Sequence, residues 1–360
     1  MMTAPALQIA NAFGGDQAVL FGRARSALLA LFETLGLHGR STILIPSNAC
    51  PSLLASAWAC GAEVRLAPVS AEMGVNDDAV LAEQVRKLSR TGRSGAVLLT
   101  HLYGFRLDFT QARKAAREHG WITIENDANA SSFAPQAPLE DLARIVSFGA
   151  GKVLDAGAGG AVITQDASLA AELEKRAKSY PVLDDAAAEA EDQLMLQRRA
   201  LRNQGRSAEI EHTLVTELSQ LRFCFDPETT EKLTVALARL PAHLAARQER
   251  RTFWLDALSG LAPALTPIGL DQTAPWRLIV KTAPALRDPL VEALRANGFD
   301  AGTNYPSLTQ SFPTLTDQDA HPDADIWSKS VINLWLDERY DSARITAACA
   351  VMEPVLEALT

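Results

Sequence analysis

One lysine set among glycines is the most reactive feature of this chain. Lys152 lies in the run SFGAGKVLDAGAGG, Ser147 to Gly160. Glycines there allow another backbone, or a flat ligand, to approach closely. An amine so placed can form a Schiff base with a carbonyl if burial and neighbours depress its pKa. The plain alternative is a solvated hairpin lysine, and the residues alone leave both open. Two nucleotide-binding readings fail. A Walker A loop needs Ser or Thr after its Lys and Gly five residues before its last Gly; Val153 and Val146 occupy those places. A dinucleotide fingerprint starting at Gly157 puts Val162 where the final Gly belongs.

The surrounding pattern alternates helix and strand. Short apolar runs at Thr42–Pro46, Glu63–Ala67, Gly95–Thr100, Trp121–Glu125 and Ala143–Phe148 read as strands. Between them, Ser26–Leu35, Pro51–Cys60, Asn76–Leu88 and Asp108–His119 read as helices, with Asn76 as an N-cap. This predicts an α/β fold with a mostly parallel sheet covered on both faces. Gly160–Thr164 follows too soon for a parallel crossover, so it is expected to run antiparallel to its predecessor. Ligands in such sheets bind beyond the carboxyl ends of the strands. Those ends carry Ser47 to Cys50, His101 to Gly104, Asn126 to Asn129 and Gly149 to Lys152. Four strand ends thus gather small and polar residues around one lysine.

Residues 166–260 read as helical, with Asp226-Pro227 starting one helix. Strands at Pro275–Lys281 and Val331–Leu336, with helices at Leu286–Asn297 and Ser342–Leu359, predict a small α+β domain over 261–360 beside a large domain over 1–260. The chain has 360 residues, 48% apolar and 21% charged, which is a globular balance. A net charge of -9 argues against nucleic acid as a partner. Charged residues interrupt every apolar stretch that could cross a bilayer. The cysteines, Cys50, Cys60, Cys224 and Cys349, have neither metal-ligand nor disulfide spacing, and His212, His243 and His321 suggest no metal. A soluble cytoplasmic protein with reduced thiols is expected.

Ser147, Phe148, Lys152, Gly157, Gly159 and Gly160 match Ser-Phe, three residues, Lys, four residues, Gly-x-Gly-Gly. This run resembles the Schiff-base segment of the DegT/DnrJ/StrS aminotransferases, fold type I enzymes that use pyridoxal 5'-phosphate (PLP). GRARSALLAL near residue 22, LIPSNACPSLLASAWACGAEV from 44 and LLTHLYGFRLDFTQARKAAREHGWITIEN from 98 agree in order and spacing, and PWRLIVK and AGTNYPSL agree loosely. The resemblance implies a mostly parallel seven-stranded sheet. It implies that Lys152 anchors PLP and shuttles a proton. It gives the cofactor phosphate to the helix start at Ala24, Arg25 and Ser26, with a further bond from Ser147. Cys50 takes a position that packs on the pyridine ring, and Asn129 that of a family Gln or His. Arg277 and Tyr305 fall where the substrate closes in, and the Arg277 fork suits an amino donor's carboxylate. The implied reaction moves an amino group from an amino acid, glutamate, to a keto sugar carried on a nucleotide, in a homodimer with shared sites. A lyase, a dehydratase, a non-sugar aminotransferase or a non-catalytic relative are the alternatives.

Two departures stand out. The family pattern Glu-Asp-x-x-Gln or -His, whose Asp pairs with the pyridine nitrogen, reads Glu125-Asn126-Asp127-Ala128-Asn129 here. Asp127 is one position late, and neighbouring strand residues face opposite ways. Its recruitment to the ring is the favoured expectation, and it requires a bulge or an early turn. The middle of the chain matches poorly. Arg202-Asn203-Gln204-Gly205 resembles a family run that reaches the partner subunit, but it equally reads as a helix end.

Overall fold

The structure is a computed structural model that describes residues 3–129, 139–204, 206–269, 276–314, 316 and 319–359. The large sheet holds β1 (Gln17–Phe21), β2 (Thr42–Pro46), β3 (Glu63–Ala67), β4 (Gly95–Thr100), β5 (Ile122–Asp127), β6 (Ala143–Ser147) and β7 (Gly160–Thr164). Their order is β1-β7-β6-β5-β4-β2-β3. The pairs β3–β2, β2–β4, β4–β5 and β5–β6 are parallel. β7 runs antiparallel to both β6 and β1, as its short connection requires. β2, β6 and β7 are buried at every position, which is what a sheet covered on both faces demands. Ile43, Ile45, Leu98, Ile124 and Ile145 pack one face against the helix Ala24–Thr34. Leu44, Val97 and Leu99 face the opposite layer with Phe109.

The helix expected from Asn76 starts one residue later. Asp77 is the cap, accepting from the Val80 N–H, while Asn76 Nδ2 donates to the carbonyls of Ala67 and Pro68. Asp226 caps the long helix Pro227–Leu258, as expected, and that helix runs on through Pro241. β1 and the helix Ala4–Ala12 were not foreseen; β1 closes the sheet edge beside β7.

The smaller sheet contains β8 (Thr266–Ile268), β9 (Leu278–Lys281), β10 (Ala301–Gly302) and β11 (Val331–Leu334), in the order β10-β11-β9-β8. Helices Pro284–Ala296 and Ser342–Leu359 supply Leu290 and Met352 to its core. Trp254 and Leu258 enter the same core from the long helix, whereas Leu233 and Leu240 of that helix pack against the large sheet. One helix therefore ties the two sheets together. The side chains of Arg202 and Asn203, and all of Gly205 and Pro275, lie outside the described residues.

Candidate active site

The turn after β6 is shaped by its glycines. A Cβ on Gly160 would stand 2.5 Å from the Cα of Ala24, so only glycine lets the helix Ala24–Thr34 abut the strand there. The Gly159 N–H donates to the Gly22 carbonyl at 2.9 Å. The hairpin is thereby locked to the start of that helix. Ser147, paired with Gly160, ends β6 beside it. The first-turn N–H groups of Ala24, Arg25 and Ser26 have no partner within the helix and form a site suited to an anion. The side chains are otherwise engaged. Arg25 pairs with Glu191 and lies 3.8 Å from Glu217. Ser26 Oγ accepts from the Phe223 N–H at 3.3 Å. Any role of these two toward a phosphate thus falls to the backbone.

Lys152 sits at the far side of the turn. Its Nζ donates to Asn129 Oδ1 at 2.9 Å and lies 5.2 Å from the Trp276 ring centre. Burial pulls the amine down to about 8; nearby Cys50 opposes this, and the Arg277 cation adds to it. An amine of that pKa is partly unprotonated, hence nucleophilic, near neutral pH. Asn129 also meets the Tyr305 hydroxyl, at 3.1 Å from Nδ2. Tyr305 stacks on Trp276 with ring centres 5.9 Å apart. The Trp276 indole N–H donates to the Gly151 carbonyl at 2.9 Å, fixing the turn from the side of the smaller sheet. Cys50 caps the helix Pro51–Ala59 and is partly buried.

Arg277 is the second cation. It is 4% exposed and lies between Trp335, 3.9 Å away, and Trp276, 5.1 Å away. Among the described residues its Nε has no hydrogen-bond partner. Burial lowers this guanidinium to about 10, against the pull of Asp337. Asp337 itself is tied to Arg339 at 2.8 Å. A buried guanidinium left short of hydrogen bonds is costly unless an anion arrives. Gly151, Lys152 and Arg277 line one cavity of about 680 Å³.

β5 presents different chemistry on its two faces. Its pairing is one-to-one to the end, with Asn126 opposite Thr100 and Ile145, and Asp127 opposite Val146. The bulge needed to recruit Asp127 is absent from this register, so Asp127 stays on the face of Glu125. The sequence had favoured recruitment of Asp127 through a bulge or an early turn; the register shows no bulge through Asp127. Glu125 is met by His101 Nε2 at 2.7 Å, Arg144 Nη2 at 2.6 Å and Arg106 Nη1 at 2.9 Å. Burial alone would raise this carboxyl, but the hydrogen bond from His101 and the Arg144 and Arg106 charges hold it well below the usual carboxylate range. The Leu107 N–H donates to His101 Nδ1 at 3.1 Å, which leaves Nε2 as the donor to Glu125.

The structure therefore brings Lys152, Asn129, Tyr305 and Arg277 together, with Cys50 close enough to influence the charge on Lys152. Ala24, Arg25, Ser26 and Ser147 form the adjacent helix-and-hairpin junction. Trp276 and Trp335 were missed as site residues. An arginine preceded by tryptophan at the start of an apolar strand was the available signal for the first; Trp335 reaches Arg277 only through the tertiary fold.

The chain matches the DegT/DnrJ/EryC1/StrS aminotransferase family over residues 7–353. It belongs to that family. A similar protein is dTDP-3-amino-3,4,6-trideoxy-alpha-D-glucose transaminase of Streptomyces venezuelae, 26% identical over 328 residues that cover 89% of this chain and 77% of the relative. Among solved structures, the aminotransferase TlmJ of Streptoalloteichus hindustanus superposes with a TM-score of 0.78 at 19% identity, covering 99% of this chain and 90% of that one. DesV of S. venezuelae, solved with a ketimine intermediate, gives 0.75 at 20% identity over 100% and 91%. The aminotransferase fold and family are thus those expected from the lysine hairpin.

Proposed function

We propose that this enzyme is a PLP-dependent aminotransferase that moves an amino group from glutamate to a keto sugar carried on a nucleotide. The observation that supports it best is the pairing of a buried, easily deprotonated amine, Lys152, with a buried guanidinium, Arg277, in one cavity. The acceptor class rests on the name of the Streptomyces venezuelae transaminase.

The residues suit the cofactor. The close approach that Gly160 permits between β7 and Ala24 brings the helix N–H groups beside Ser147, where a phosphate would sit. The bound cofactor supplies an aldehyde that captures an amine and a ring that accepts the electrons of the bond broken at the substrate carbon. Lys152 would hold it and, once released, carry a proton between the substrate carbon and the cofactor carbon on Nζ. Asn129 aims Nζ through its 2.9 Å hydrogen bond. Arg277 would clamp the donor's carboxylate with its planar fork, which Trp276 and Trp335 flank and help to shield from water. Tyr305 and Trp276 close the side facing the small sheet. Cys50, at its helix cap, would pack against the ring. A homodimer with shared sites, working in the cytoplasm, completes the proposal.

The test is the half-reaction. Purified enzyme mixed with glutamate should convert the cofactor's absorption to that of its amine form, and a panel of nucleotide-linked keto sugars should restore it. Conversion by glutamate followed by no recovery with any keto sugar would move the reading to a non-sugar acceptor.

A further inference from the structure

We infer that the pyridine nitrogen of the bound cofactor is met by the amide N–H of Asn126 and stays unprotonated. This rests on the proposed use of PLP. In that molecule the nitrogen stands para to the aldehyde and the phosphate arm is beside the aldehyde. With the aldehyde at Lys152 and the phosphate at the Ala24–Ser26 turn, the nitrogen points away from Lys152, toward the strand ends. The relevant sheet face is the one covered by the helix Ala24–Thr34, which carries Ile124, Ile145 and, two residues along, Ser147. Asn126 is the side chain that β5 presents there. Thr100 is beside it on β4, and Ser47 lies beyond, at the end of β2. No carboxylate shares that position on β5, because the unbroken register turns Glu125 and Asp127 to the other face.

The orientation of the Asn126 amide is set by its neighbours. The Ala128 N–H donates to Asn126 Oδ1 at 3.3 Å. Thr100 gives its hydroxyl proton to the Leu98 carbonyl, 3.2 Å away, so its oxygen is an acceptor toward Asn126 Nδ2, 3.5 Å away. Both contacts fix the amide with its oxygen toward Ala128 and its NH2 toward Thr100. One N–H serves Thr100 and the other is left to donate. A bare ring nitrogen accepts that bond, whereas a protonated one would meet donor with donor. The ring therefore accepts electrons less strongly than one held protonated by a carboxylate.

The experiment is nuclear magnetic resonance of wild-type enzyme loaded with cofactor labelled with nitrogen-15 in the ring. Expected at neutral pH is the shift of an unprotonated pyridine, moved to the protonated position in Asn126→Asp and left unchanged in Asp127→Asn. A deaza analogue with carbon in place of the ring nitrogen should bind wild type no more than about tenfold more weakly, the cost of one neutral hydrogen bond. A protonated ring in wild type, or a shift that responds to Asp127→Asn, overturns the inference and leaves the aminotransferase reading standing. A chain that takes up no labelled cofactor overturns both.

Discussion

The two faces of β5 solve the problem of buried charge in opposite ways. On one, a single carboxylate, Glu125, is surrounded by His101, Arg144 and Arg106. On the other side of the strand ends, Lys152 and Arg277 share a cavity in which Lys152 donates to a neutral amide, Asn129, and the Nε of Arg277 has no hydrogen-bond partner among the described residues. The first cluster is complete without any ligand. The second holds a buried guanidinium whose Nε lacks a hydrogen-bond partner among the described residues. Where the Glu125 cluster closes on itself, Arg277 keeps a donor that a ligand can use.

That contrast can be broken most severely at Lys152. Lys152→Ala should lower the rate of the glutamate half-reaction by about three orders of magnitude or more, the range for loss of a general acid–base group; a single-turnover rate near wild type would remove the functional side of the comparison. Glu125→Ala should act on stability instead. It strands Arg144 in the core and should cost about 3–5 kcal/mol in urea unfolding; a loss below about 1 kcal/mol would mean the cluster is not a closed unit. Arg277→Ala should raise KM for the amino donor about 10- to 100-fold, the worth of a charged hydrogen-bonded contact, with KM for the keto acceptor unchanged. Arg277→Lys should recover only part of this, because an ammonium cannot reproduce the fork. Equal effects on both substrates would turn Arg277 into a packing residue.

The smallest effect is on pH. Reaction of the cofactor-free enzyme with an aldehyde should half-titrate near pH 8, not at the ordinary lysine value of 10.5. Arg277→Ala should shift that midpoint upward, since removing a neighbouring cation favours the charged amine. The same group links to folding. Between about 8 and 10.5 the unfolded amine keeps its proton while the folded one has lost it. Stability therefore rises with pH across that window, and the cost of burying the ammonium is fully present below it. Lys152→Met should flatten this part of the profile; an unchanged slope in calorimetry would deny that the amine is desolvated.

Local patterns revealed the sheet and the lysine. Apolar runs such as TILIP and GAVLLT are long enough to declare strands, and Gly-x-Gly-Gly after Lys152 declares a turn into which another backbone must fit. The contact with Ala24 explains that spacing. What stayed hidden depends on tertiary approach. Trp335 is 58 residues further on from Arg277 in sequence, yet 3.9 Å from it in space. A bulge at Asp127 leaves no obligatory residue signature in the sequence, whereas strand pairing shows the register running unbroken through it. Asn76 and Asp77 are both good caps, and only the carbonyls of Ala67 and Pro68 draw Asn76 away from the role. In the middle of the chain, Glu191 and Glu217 were unremarkable acidic residues until Arg23, Arg25 and Arg198 closed on them.

Trp276 touches the reactive turn through its indole N–H and stands 5.2 Å from the amine of Lys152. It is one of six tryptophans in the chain. A pyridoxal ring arriving at that amine absorbs where indoles emit, so the emission of this residue should be dimmed by energy transfer as the site fills. Under the proposed use of PLP, Trp276 is an optical gauge of loading, and Trp276→Phe should erase the most sensitive part of that signal.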